Sequence, residues 1–149
     1  MSTYKPFQFT GRARGFLFAL SGSLFSSMAI AEVPDVVKFN RDVRPILSSK
    51  CFHCHGPSEK DRKAKLRLDL EESAFSDREG VRAVVAGDLK MSELWHRVTA
   101  KDPDDVMPPP ESKKTLSMDE TTILRKWIEQ GAEWEGHWSF IPVEKPELP

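Results

Sequence analysis

Two cysteines stand three residues apart in Cys51-Phe52-His53-Cys54-His55, and a histidine follows the second directly. The 149-residue chain contains no other cysteine. Thiols at this spacing beside an imidazole suit three chemistries: covalent attachment of a haem, thiol/disulfide exchange, and part of a zinc site. The C-x-x-C-H order favours the first. Each thiol can add to one vinyl group of a porphyrin, and His55 then lies where it can reach the iron. An exchange pair expects a strand-helix-strand setting, yet no β-branched strand precedes Cys51. A zinc site would draw on Cys51, Cys54 and two of His53, His55, His96 and His137, whose positions lack the usual paired spacing. A disulfide between Cys51 and Cys54 would close a tiny loop and stabilise little. The motif therefore predicts one covalently attached haem c, its iron bound by His55.

One protein ligand leaves a sixth position on the iron, and its occupant decides between electron carriage and small-ligand binding. Met107 is the expected occupant. It lies in Val106-Met107-Pro108-Pro109-Pro110, where prolines stiffen the backbone and hold the thioether in place. Met118 falls in the first turn of a capped helix, Met91 borders a helix as core filler, and Met28 belongs to the leader. His96 would give a bis-histidine site but reads as half-exposed on a helix, and His53 and His137 read as solvent-facing. A backbone carbonyl near Gly56-Pro57 is the expected partner for the free ring nitrogen of His55. Trp95 and Trp127 read as core residues.

The elements that must position these groups are mostly helical. Asn40 is placed to cap a helix through Arg41-Asp42-Val43-Arg44-Pro45-Ile46-Leu47 that leads into the motif, although Pro45 sits too far in to be ideal. Residues 58–80 are dense in charge and read as a solvated loop, with Leu66, Leu68 and Leu70 allowing a short extended piece against the core. A helix is expected from Ser92 to Val98, facing inward with Leu94, Trp95 and Val98. Lys101 to Thr115 is a proline-stiffened loop, long enough to suggest a function. The clearest helix follows: Ser117 and Glu120 fit a capping box, Leu116 a staple, and Ile123, Leu124, Trp127 and Ile128 share one face until Gly131.

The ends read differently from the middle. Lys5, Arg12 and Arg14, the apolar run Gly15 to Phe25, and Ala29-Ile30-Ala31 make a secretory signal peptide over 1–31, with the cut after Ala31. The apolar run is shorter than the roughly 20 residues a membrane span needs, and no later window approaches that length, so no span is expected after the leader is removed. Removal takes three basic residues and no acidic one, moving the formal charge from −1 to −4. Such a domain, lacking any basic run, is a poor nucleic-acid binder. With 30% charged and 39% hydrophobic residues, a covalently held apolar cofactor would help it build an interior. Residues 32–137 are the expected haem domain, and 138–149 a proline-rich linker.

Phe39 to Pro57, Val85 to Val98, Met107-Pro108-Pro109, Leu116 to Trp134 and His137 to Pro149, in that order, resemble the planctomycete-type cytochrome c domain, a haem module near the N-terminus of larger exported proteins. Because many cytochromes share C-x-x-C-H, the resemblance rests on the surrounding segments. It implies Cys51 and Cys54 as attachment sites, His55 as proximal ligand, Met107 as distal ligand, and a tail that leads into further domains. One departure is visible at Lys63-Ala64-Lys65-Leu66-Arg67-Leu68, where the family tends to place glycines before the leucines.

The expectation is a small all-α cytochrome c-like fold of about three helices around the haem, with long loops. Its function would be one-electron transfer in the periplasm or cell envelope, with an unidentified redox partner and no catalysis of its own. The rival functions are small-ligand sensing at an open sixth position and a zinc-binding structural module. If the leader is cleaved as expected, N-terminal sequencing of exported protein finds Glu32 first; a Met1 start on exported protein would show that the leader is retained.

Overall fold

The computed structural model describes residues 33–136. The expected leader and linker, together with Met28 and His137, lie outside the described residues.

The chain enters through a π-helical turn, Phe39–Val43, that runs straight into helix α1, Arg44–Lys50. Pro45 explains the join. It has no amide hydrogen to give to an upstream carbonyl, so a regular helix can begin around it but cannot run through it. The continuous helix expected from Asn40 is thus divided, and Asn40 is not its cap. Lys38 holds the cap position without a side-chain cap bond, and the carboxylate of Asp42, inside the turn, accepts from the Lys38 amide at 2.8 Å. The Asn40 side chain instead donates to the Gly136 carbonyl at 2.7 Å and accepts from Arg44 Nε at 2.7 Å.

The last helix follows its sequence signals closely. In α4, Met118–Glu129, Ser117 Oγ accepts from the Glu120 amide at 3.1 Å and Glu120 accepts from the Ser117 amide at 2.7 Å. Leu124, Trp127 and Ile128 are buried, and Gly131, at φ +101°, turns the chain out of the helix. The entry turn lies against this face. Phe39 sits 5.5 Å from Trp127 and 4.0 Å from Trp134 between ring centroids, and the Arg44 guanidinium covers the Phe39 ring at 5.1 Å. Val43, Ile46 and Leu47 complete the core on the α1 side.

The charged middle is more ordered than its composition suggests. It holds a five-residue helix α2, Glu71–Phe75, and an antiparallel hairpin of β1, Asp77–Arg78, and β2, Val81–Arg82. Ala74 is fully buried, and Asp77 Oδ1 accepts from the Gly80 amide at 2.7 Å to close the hairpin. Elements this short cannot display a hydrophobic period, which is why the sequence reads as loop. Leu68 is buried and Leu66 half-buried, so the leucine alternation does mark a piece lying against the core.

Helix α3, Glu93–Thr99, lies one residue beyond the expected start. Ser92 does not cap it through a side-chain bond; its buried hydroxyl donates to the Asp88 carbonyl at 2.7 Å and accepts from the Val85 amide at 2.9 Å. Leu94 is buried, with Trp95 and Val98 half-buried beside the core. The described residues therefore hold four α-helices and a small hairpin, where about three helices alone were expected.

Ala64 and Lys65 both adopt left-handed backbone, at φ 49° and 52°. These are side-chain-bearing residues where the resembled family favours glycine, and each carries steric strain. Replacing both by glycine is expected to stabilise the domain by up to ~1 kcal/mol, since glycine's larger unfolded-state entropy takes back part of the relief. Ser117→Ala should cost ~1 kcal/mol by removing the α4 cap. Chemical denaturation reads both, and the two effects should have opposite signs.

Candidate functional site

The motif hangs directly from α1. The Cys51 and Phe52 amides both donate to the Leu47 carbonyl, at 2.8 and 2.9 Å, and the His55 amide donates to the Cys51 carbonyl at 2.8 Å. Cys51, Cys54 and His55 therefore ride one turn that extends the helix. Gly56 ends it under tight constraint: a Cβ there would lie 2.3 Å from the Phe52 carbonyl oxygen. Downstream chain then secures the turn, with the Lys63 amide donating to Cys54 at 2.7 Å and the Leu68 amide to His55 at 2.9 Å.

The facing wall comes from the proline loop. The Met107 amide donates to the Arg97 carbonyl at 2.9 Å, which ties the methionine to α3. Arg97 also pairs with Glu93 at 2.7 Å and with Asp105 at 2.6 Å, anchoring the approach to Met107. The Met107–Pro108 peptide is cis, and a 3-10 turn, Pro110–Ser112, follows. Beyond it, Lys114 Nζ donates to the Ser49 carbonyl at 2.6 Å and Lys50 Nζ to the Thr115 carbonyl at 2.8 Å.

Between the walls lies a cavity of about 770 Å³. Cys51, Cys54 and His55 line one side, and Met107, Pro108 and Pro109 the other. All four residues singled out for haem binding thus face one space, whose size is that of ligand pockets generally, roughly 300–1,000 Å³. The two cysteines are free thiols and half-buried. Burial pushes the Cys51 thiol up to about 11, against the pull of the nearby Lys114 and Lys50 ammonium groups, so it stays protonated at neutral pH. Burial also lowers the His55 pKa, and a Lys63 backbone group near the ring pulls the other way. The imidazole is accordingly neutral at pH 7, the state that can donate a lone pair to a metal.

His55 Nδ1 is buried without a hydrogen-bond partner. The expected partner near Gly56-Pro57 is not met for this nitrogen; those two carbonyls accept from Arg62, at 3.0 and 2.8 Å. Leaving such a nitrogen unpaired costs roughly 1–3 kcal/mol. That nitrogen is held in place by burial rather than by a polar partner. Two unbridged thiols, a neutral imidazole and a thioether around one cavity are a donor set that fits a haem c.

The other candidates lie elsewhere. Met91 and Met118 are 61% and 87% exposed. His96 is exposed, and its Nε2 contacts the Lys90 carbonyl at 2.7 Å. His53 is exposed on the cavity rim. Among the described residues no three His, Cys, Asp or Glu side chains gather as a metal site, so the zinc arrangement is not assembled there. No described helix is long and apolar enough to cross a membrane. Sequence reasoning did not single out Lys50, Lys63, Asp104, Glu111 and Lys114, which also line the cavity. Nothing in their local sequence marks them, since only the fold brings them to it.

Residues 51–111 match the family model described as planctomycete cytochrome C. No curated protein and no solved structure matches the chain. The matched span opens on Cys51 and closes within the Pro110–Ser112 turn, so it contains the motif and the Met107 wall but neither α1 nor α4. Gly56→Ala is expected to destabilise the protein by ~1–3 kcal/mol, because the obstacle is backbone and the motif turn must move. Thermal melting and the yield of haem-bearing protein should fall together; an unchanged yield would show that the turn tolerates the methyl group.

Proposed function

We propose, from the match of residues 51–111 to the planctomycete cytochrome C model, that the protein holds one haem c and carries single electrons rather than catalysing a reaction. The observation that carries the proposal is the convergence of Cys51, Cys54, His55 and Met107 on one cavity. When bound, the haem supplies a one-electron iron couple whose potential depends on its axial ligands and burial. Cys51 and Cys54 anchor it through thioethers. His55 serves as proximal ligand, and with Nδ1 buried, Nε2 is the ring nitrogen left for the iron. Met107 is the distal ligand, its backbone held by the bond to Arg97 and by the prolines that follow. Methionine ligation raises the potential relative to a second histidine.

The leader supports a location outside the cytoplasm, where haem attachment of this kind requires export, and the proline-rich tail supports a place in a larger protein. A redox partner, protein or domain, then completes the electron path. One observation favours a second function, small-ligand binding. A cavity of about 400 Å³ lined by Val98, Val106 and Leu116 borders Met107 and Pro108 on another side, giving the methionine room to leave.

Expression with cytochrome maturation machinery should yield protein whose haem stays with the chain after denaturation, with the mass of one haem added. Cys51→Ala and Cys54→Ala should each weaken this attachment. Colourless protein of bare polypeptide mass would defeat the proposal. Met107→Ala should change the reduced spectrum and lower the midpoint potential; if neither moves, methionine is not the ligand. Ready binding of carbon monoxide by the reduced wild-type protein would favour the second function.

A further inference from the structure

Two lysines join the walls of the cavity in a reciprocal pattern. Lys50, the last residue of α1, donates from Nζ to the Thr115 carbonyl, while Lys114 donates from Nζ to the Ser49 carbonyl. Each bond spans 65 residues, and the two run in opposite directions between neighbouring positions. Lys50 Nζ also lies 3.5 Å from Glu120 Oε1 in the first turn of α4. Three segments therefore meet at this edge: the helix that bears the motif, the segment that follows Met107, and the capped start of α4.

The rest of the Met107 segment has little apolar burial to fix it. From Lys101 to Thr115 no residue is buried. Its backbone is tied by the Met107 bond to Arg97 and by short-range turns, so the long-range restraint downstream of Met107 comes from the two ammonium groups. Charge-assisted bonds to carbonyls are the stronger kind; both lie at the surface, and the Lys50 side chain that makes one of them is only 25% exposed. On the other side of Met107 lies the smaller cavity, into which the thioether can swing if the segment loosens.

We propose that Lys50 and Lys114 form a clamp that positions Met107 over the haem site, setting how tightly the sixth position is closed to outside ligands. They are positioning residues, since they act through the 107–115 segment. The proposal rests on haem attachment and methionine ligation as described above. It makes closure of the sixth position a property of two lysines on the cavity rim rather than of the methionine alone.

The test uses the haem-bearing protein and its K50M, K114M, K50R and K114R variants, with K60M, at an exposed position, as control. Carbon monoxide is the probe of an open sixth position in the reduced state. Losing one charge-assisted bond should raise the methionine-free population, and with it carbon monoxide binding, by about tenfold. The midpoint potential should fall in parallel. Arginine keeps a donor, so K50R and K114R should remain close to wild type, as should K60M. Far-UV circular dichroism checks the fold first, and K114Q replaces K114M if the latter loses its helices. Folded, haem-bearing methionine variants with wild-type carbon monoxide binding and potential would overturn the clamp while leaving haem attachment and methionine ligation intact. A wild-type protein without covalent haem, or one that binds carbon monoxide freely, would overturn the underlying function and the clamp with it.

Discussion

The bonds from the Cys51 and Phe52 amides to the Leu47 carbonyl make the motif a continuation of α1, so whatever holds α1 also holds the two thiols and the imidazole. What holds α1 is hydrophobic burial. Leu47 and Val43 are almost wholly inaccessible, and Phe39 is wedged between Trp127 and Trp134. Each fully buried side chain of this kind contributes roughly 1.5–3 kcal/mol, and the aromatic contacts add direction as well as area. The near wall of the cavity is thus as rigid as the α1/α4 core beneath it.

The far wall is built on a different principle. Between Lys101 and Thr115 the chain buries no side chain fully, and its position comes from hydrogen bonds and proline geometry. Arg97 receives the Met107 amide at its carbonyl and pins the approach through Glu93 and Asp105, while the lysine bonds close the exit. Polar restraint is weaker than core burial. It leaves this wall less firmly fixed than the α1 side.

Electrostatics at the site agree with this division. Burial favours the neutral form of both His55 and Cys51. His55 Nδ1 stays unpartnered, while the Gly56 and Pro57 carbonyls just beyond the motif accept from Arg62.

Local chemistry decided what could be read from the chain itself. The C-x-x-C-H spacing, the capping box at Ser117 and Glu120, the shared face of Leu124, Trp127 and Ile128, and Met107 among its prolines are all short-range patterns that carry their own physics. Split helix, hairpin and lysine contacts were hidden for the complementary reason. Pro45 shifts a boundary by denying one hydrogen bond, α2 and the strands are shorter than any period that could announce them, and Lys50 meets Thr115 only after 65 residues have folded between them. Sequence determined which groups are chemically capable. Tertiary structure alone decided that they line one cavity and how its far wall is held, because contacts between distant segments depend on loop closure and burial that no local window contains.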